Sequence, residues 1–282
     1  MKINLYRKGG KKIFVNESLL KTQREIKNYL RSVCFCSNDI NIIKGEPNLR
    51  RIWLDNVVTQ LEPVYIELLS RLNRILKQRS FFWRHLELSD NKSEALIESF
   101  DYQLALIGTR IFRRRKRALK KLLPYVDYWH SHLSKSKEKI GINYCSNLDI
   151  DEEDDETKIR EKLSEQLLNQ RKTESLRGKC SIGPHRDEVE FLINNISIRK
   201  FGSSGQQRTM ILALKMAELD LLKNTILVPP ILILDDVLAD LDLTRQSLLL
   251  NSVGKHSQCL ISATHLNNFD SEFVDQSQII YL

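Results

Sequence analysis

The sequence predicts an α/β protein interrupted by a long all-helical region, and three observations carry that prediction. From Cys180 onward, short apolar strands alternate with helices, the pattern of a mostly parallel, buried sheet. Between about Asn48 and Lys139, apolar residues recur at helical spacing. Ile231–Leu234 is a run of four large apolar residues closed by Asp235 and Asp236, as expected of a central strand buried on both faces.

Taken in order, residues 3–15 read as a hairpin. Ile3, Leu5, Ile13 and Val15 alternate with polar residues around Lys8-Gly9-Gly10-Lys11. Such a hairpin needs a sheet to join, because two strands alone are marginal in water. A short helix from about Thr22 to Leu30 and a strand at Val33–Phe35 follow. Leu54, Val57, Val58 and Leu61 then set a helical period that resumes after Pro63 with Ile66, Leu69, Leu72 and Leu76. Residues 96–133 continue it, with Pro124 expected to mark a boundary or kink. No heptad persists, so a coiled coil is not indicated. Beyond Cys180 the expected elements are a hairpin Val189–Phe201 turning at Asn194-Asn195, a Gly/Ser loop and a helix to about Leu222. The strand Ile231–Leu234, a helix from about Leu243, the strand Cys259–Ser262 and a last strand Ile279–Leu282 complete the set.

Lysine and arginine exceed the acids 44 to 36, a net charge of +8 that favours a polyanionic partner. Arg110–Lys121 holds eight basic residues and no acid. Helical winding spreads them around the axis, so a solvated face is the first reading and DNA contact the second. Asp149–Glu156 holds seven acids in eight positions and reads as a surface loop. No apolar run is long enough to cross a membrane and the N-terminus has no secretory signal pattern, so a cytoplasmic location is expected. The five scattered cysteines match neither a zinc site nor a disulfide framework. His130 and His132, two apart on a helix, would not share a face to hold a metal.

The chemistry concentrates late in the chain. Open α/β sheets place ligands beyond the carboxyl ends of their strands, where Asp235 and Asp236 stand. One carboxylate there can hold Mg²⁺ through water while the next polarises an attacking water. Upstream, Gly202-Ser203-Ser204-Gly205-Gln206-Gln207 opens a helix that Ser203 can cap, and free N–H groups at such a start favour an anion. His185-Arg186-Asp187 reads as an ion-paired turn rather than a catalytic set, since no nucleophile is near in sequence.

These motifs resemble those of ABC ATPases. Ser203, Ser204, Gly205 and Gln206 are similar to the signature loop, and Asp235 to the Walker B magnesium ligand. Asp236 takes the place of the catalytic carboxylate, Asp240 lies in a D-loop-like Ala239-Asp240-Leu241-Asp242, and His265 resembles the switch histidine. From the residues alone, His265 reads equally well as a surface-loop histidine.

The closer resemblance is to the RecF family. It rests on Gly183-Pro184-His185-Arg186-Asp187, on Phe201 to Thr209, on Leu234 to Asp242, and on Lys44-Gly45-Glu46-Pro47 with Arg50, Arg51, Leu54 and Asp55. Ser37-Asn38 and Trp53 depart from the family's usual residues. The resemblance implies an ABC-type P-loop ATPase head with an inserted all-helical second lobe. The head would comprise residues 1–47 and 178–282, and the lobe residues 48–177. It further implies ATP and Mg²⁺ as cofactors, an ATP-dependent homodimer, single-stranded or gapped DNA as ligand, and RecR and RecO as partners. The family also opens with a Gly-x-x-Gly-x-Gly-Lys-[Ser/Thr] loop. Gly9-Gly10-Lys11-Lys12 lacks that spacing and reads as a hairpin turn. The expectation is therefore an ATPase head without its Walker A segment of roughly 70–80 residues.

Overall fold

The computed structural model describes residues 2–6, 10–20, 22, 25–26, 29–85, 91–134, 138–150, 154–237, 241–253, 258–265, 269 and 271–281. Strands β1 (Lys2–Tyr6) and β2 (Gly10–Val15) pair antiparallel, with Ile3 opposite Ile13, as their alternation predicts. A second turn, at Asn16 and Glu17 with φ of 48° and 67°, brings β3 (Ser18–Leu19) back onto β2. Of the helix expected at 22–30, residues 23, 24, 27 and 28 lie outside those described, and the rest show helical turns, with the Glu25 N–H donating to the Thr22 carbonyl and the Leu30 N–H to the Ile26 carbonyl.

The second sheet holds the expected central strand. β8 (Ile231–Asp235) lies between β4 (Ser32–Cys36) and β9 (Cys259–Ser262), parallel to both. Burial on both faces is not found. Val33, Phe35, Leu232 and Leu234 are buried, whereas the opposite row in register, Cys34, Ile233 and Leu260, runs from half-buried to half-exposed. The buried row shares its core with helix α7 (Ser204–Thr225), and the other row has no comparable cover among the described residues. The expected last strand is absent from the described residues 279–281. Ile280 and Tyr281 are exposed there, and a five-residue helix α9 (Ser271–Asp275) precedes them.

The middle of the chain is helical, with one strand the sequence reading missed. α1 (Asn41–Lys44) leads into α2 (Pro47–Leu61), α3 (Tyr65–His85) and α4 (Asn91–Ser134). Helix α4 spans 44 residues and continues through Pro124, which is neither a boundary nor an end. An internal proline costs about 3 kcal/mol, and burial of Leu122 and Val126 on either side offsets it. β5 (Ile140–Cys145) then pairs antiparallel with β6 (Glu188–Ile193), and β7 (Ile196–Ser197) completes that sheet. Six residues of period-two alternation, with Ile140, Ile142 and Tyr144 on one face, are too few to stand out beside a long helix. The expected hairpin to Phe201 ends early, because Ile198–Phe201 winds into the short helix α6.

α5 (Glu156–Arg177) starts inside the acidic run, capped by Asp155, whose side chain accepts from the Lys158 N–H. Asp154 pairs with Lys162 and Glu156 with Arg113, so this end of the run anchors a helix. The basic run is likewise engaged. Arg115 is 2 % exposed and donates to Asp55, Tyr144 and the Pro184 carbonyl, while Arg114 and Arg117 both meet Glu62. One apolar cluster runs from Val33 and Phe35 through Trp53, Leu104 and Leu122 to Leu212 and Leu234, so helices and sheets share a core.

Candidate nucleotide site

Helix α7 organises the site. Nearly every residue from Gln207 to Leu222 is buried, so the helix is held by its whole surface rather than one stripe. Its start is a capping box. Ser203 Oγ accepts from the Gln206 N–H at 3.2 Å, and Gln206 Oε1 accepts from the Ser203 N–H at 2.9 Å. Gln206 also donates to Glu138 at 3.0 Å. The N–H groups of Ser204 and Gly205, first-turn donors, find no partner among the described residues and stay available to an anion.

The two glycines of this loop differ. A Cβ on Gly202 would lie 2.6 Å from the Ile198 carbonyl oxygen, so the packing of α6 demands glycine there. A Cβ on Gly205 would meet nothing closer than Ser203 Oγ at 3.9 Å. Nothing within the chain requires that residue to be glycine, and the space above it is open.

At the other end, Asp235 closes β8. Ser262, at the end of β9, donates its Oγ to Asp235 Oδ1 at 2.7 Å, and its Oγ and carbonyl both lie within reach of the Asp236 N–H (3.1 and 3.3 Å). Asp236 takes a left-handed conformation, φ 52°, unusual for a residue with a side chain. Both carboxylates are exposed, as is His265 beyond β9. Asp240 lies outside the described residues. The sequence marks Ser262 only as the end of the strand Cys259–Ser262, and its contact with Asp235 depends on strand register.

Two contacts fix these parts relative to one another. Lys215 of α7 stands 3.1 Å from Asp39, whose carboxylate accepts from the Cys36 N–H at the end of β4. Burial works against the Lys215 charge, but Glu218 and Asp39 outweigh it and hold the ammonium above its ordinary pKa. Glu218 is pushed up by burial, eased by Lys215 and by the Trp53 indole, which donates to it at 2.5 Å. The second contact joins α8 (Leu243–Val253) to α7. Arg245 pairs with Asp242 at 2.7 Å and donates to Thr209 at 2.7 Å, tying the segment after Asp240 to the first turns of the signature helix.

From these anchors the spacing follows. Cys36 is in register with Asp235, so Lys215 marks the carboxyl end of the sheet along α7. Ser204 lies eleven residues earlier on the same helix, about 16 Å further out at helical rise. The start of α7 is therefore separated from the level of Asp235 by about three turns of helix.

His185-Arg186-Asp187 is an internally bonded turn, with partners other than expected. Asp187 accepts from the Tyr144 hydroxyl and lies 3.9 Å from Arg115, while Arg186 and His185 Nε2 both donate to the Cys180 carbonyl. Burial lowers the His185 pKa to about 4, so its Nδ1, buried without a partner, stays unprotonated near neutrality. His130 is buried and His132 exposed, on different faces of α4.

No protein-family model matches the chain. It is 47% identical over 280 residues to the DNA replication and repair protein RecF of Synechococcus sp. (strain CC9605), covering 99% of this chain and 77% of that protein. To RecF of Cyanothece sp. (strain PCC 7425 / ATCC 29141) it is 40% identical over 278 residues, covering 99% of this chain and 74% of the relative. Among solved structures, the recombination mediator protein RecF bound to ATPrS in the RecFOR pathway superposes with a TM-score of 0.85 at 31% identity, covering 95% of this chain and 71% of that one. The ATP complex of RecF gives a TM-score of 0.83 at 32% identity, over 92% of this chain and 69% of that one. With this identity, this coverage and this ABC-type α/β architecture, the chain belongs to the RecF family of DNA replication and repair proteins.

Proposed function

We propose that the chain serves recombinational gap repair and the SOS response as an ATP-dependent DNA-binding protein whose signature loop and Walker B strand act on two different nucleotides. The observation that carries this is the spacing along α7: about 16 Å of helix separates Ser204 from Lys215, which marks the level of Asp235. A triphosphate held beside Asp235 is out of reach of the same chain's Ser203–Gln206, so that loop faces the nucleotide of another protomer. The open space over Gly205 and the two free N–H groups beside it suit a phosphate approaching from outside.

Within this reading each residue has a role. Ser203 and Gln206 hold the loop rigid through their mutual cap, and Ser204 and Gly205 present donors to the γ-phosphate. Asp235 suits a hard cation: its Oδ1 is oriented by Ser262, and its Oδ2 carries no bond among the described residues. Bound Mg²⁺ would neutralise phosphate charge there. Asp236 accepts the proton of an attacking water, and its side chain, shorter than Glu, favours slow turnover. His265 senses the γ-phosphate, and Asp240 carries information across the dimer. Residues 1–47 and 178–282 form the ATPase head and 48–177 the second lobe, with RecR and RecO as partners in the cytoplasm.

A second reading is a non-catalytic DNA- and RecR-binding protein that only lends its signature loop. Binding of a labelled ATP analogue tests the shared core of both readings. Residues 1–282 alone should bind none, and should tighten binding by a RecF relative that carries the loop. A tightening unchanged by Gly205→Glu would refute the proposal.

A further inference from the structure

The basic run of α4 is the densest cluster of cations in the sequence, yet its arginines are largely consumed by Glu156, Glu62 and Asp55. The unspent charge lies on α3. Its 21 residues contain one acid, Glu67, in the first turn. Arg74, Lys77 and Arg84 are exposed, and none of them forms an ion pair among the described residues. Arg79, the remaining cation of that half, points inward to Asp101 and Glu174.

A second element extends the same surface. α5 ends at Gly178, in a left-handed conformation that brings the chain against α3: a Cβ on Gly178 would lie 2.9 Å from Arg84 Cγ. Cys180 then packs on α3, its Sγ 3.7 Å from Ser80 Oγ and 4.0 Å from the Leu76 carbonyl. Lys179, exposed between these two anchors, adds its charge beside Lys77 and Arg84. Amid them Phe81 is 59% exposed and stacks on His85, ring centroids 4.2 Å apart and planes 20° from parallel.

Cations that pair with no acid among the described residues, around an exposed ring already held flat, match the chemistry of single-stranded nucleic acid. Phosphates take the charges, and an unpaired base takes the ring face. An exposed Phe costs nothing to leave in contact with a base and gains little from an acidic peptide. We propose that the surface formed by Arg74, Lys77, Phe81 and Arg84 of α3 with Lys179 is where single-stranded DNA docks. This rests on the DNA-binding reading above and assigns it to a face away from the basic run.

The test is fluorescence anisotropy of a labelled oligothymidylate with residues 1–282, over a salt titration. Arg74→Gln/Lys77→Gln/Arg84→Gln should bind at least about tenfold more weakly, with the log–log salt slope shallower by about 2, from roughly 0.7 per phosphate contact in single strands. Arg110→Gln/Lys120→Gln/Lys121→Gln, the same charge loss on α4, should stay within about threefold. Phe81→Ala should weaken single-strand binding roughly tenfold and leave duplex binding unchanged. Acetylation footprinting of the unmodified protein gives a second readout: DNA should protect Lys77 and Lys179 and leave Lys120 and Lys121 reactive. Equal losses in the two triple variants, the reverse footprint, or competition by poly-glutamate as strong as by DNA would overturn the assignment while leaving DNA binding intact. A protein that binds no oligonucleotide at any salt, either alone or assembled with ATP and a RecF relative that carries the phosphate-binding loop, would overturn the DNA-binding reading itself, and the assignment with it.

Discussion

The Lys215 ammonium meets the Asp39 carboxylate at 3.1 Å and thereby fixes how far the signature helix projects beyond the sheet. Lys215 is buried with Glu218 one turn away, so the pair is a structural clamp rather than a surface contact. Removing one partner leaves the others charged and unopposed. Lys215→Met should therefore destabilise the protein by about 3–5 kcal/mol. Lys215→Met/Glu218→Gln should recover part of that loss, because the buried carboxylate goes with the ammonium. Chemical denaturation of both variants checks the order.

The two glycines of the signature loop should separate folding from function. Gly202→Ala forces a Cβ to 2.6 Å from a backbone carbonyl and should lower the melting temperature by several degrees. Gly205→Ala places its methyl in open space and should melt like the parent, yet weaken nucleotide binding across the dimer. Thermal melts alongside binding of an ATP analogue distinguish the two.

Asp236 holds a left-handed backbone conformation that favours glycine. Asp236→Gly should match or exceed the parent in stability, by up to about 1 kcal/mol in chemical denaturation, because glycine adopts that backbone conformation freely. A stability loss in that variant would mean the carboxylate is structural.

His185 makes acid stability predictable. Its folded pKa of about 4 lies below the unfolded value near 6.5, so the unfolded chain binds the extra proton between those limits. The stability this residue contributes is present above pH 6.5 and is lost as pH falls toward 4, by about 3 kcal/mol in all. Unfolding free energies at pH 7, 5.5 and 4.5, in the parent and in His185→Gln, should show a steeper decline in the parent.

Much of the site was legible in the sequence for simple reasons. Ser203 and Gln206 form a capping box, a local device that depends on a spacing of three residues. Ile231–Leu234 declares a strand, and β8 does end at the carboxylate Asp235. What escaped depends on tertiary register. Ser262 orients Asp235 only because β9 pairs with β8 residue for residue. Arg115 lies within a run of exposed cations and differs from them by its angle on the helix, which turns it inward to Asp55 and Tyr144. The open row Cys34, Ile233 and Leu260 could not be read from strands whose alternate residues are all apolar or nearly so. Burial there is decided by what covers the sheet.

The central claim is that Ser203–Gln206 of this chain act on the nucleotide held by another protomer. The most direct measurement is ATP hydrolysis by residues 1–282, alone and mixed with a RecF relative that has the phosphate-binding loop but a disabled signature serine. The expected result is no turnover alone and restored turnover in the mixture, lost again with Gly205→Glu in this chain. Robust hydrolysis by residues 1–282 alone that disappears in Asp236→Asn would contradict the account.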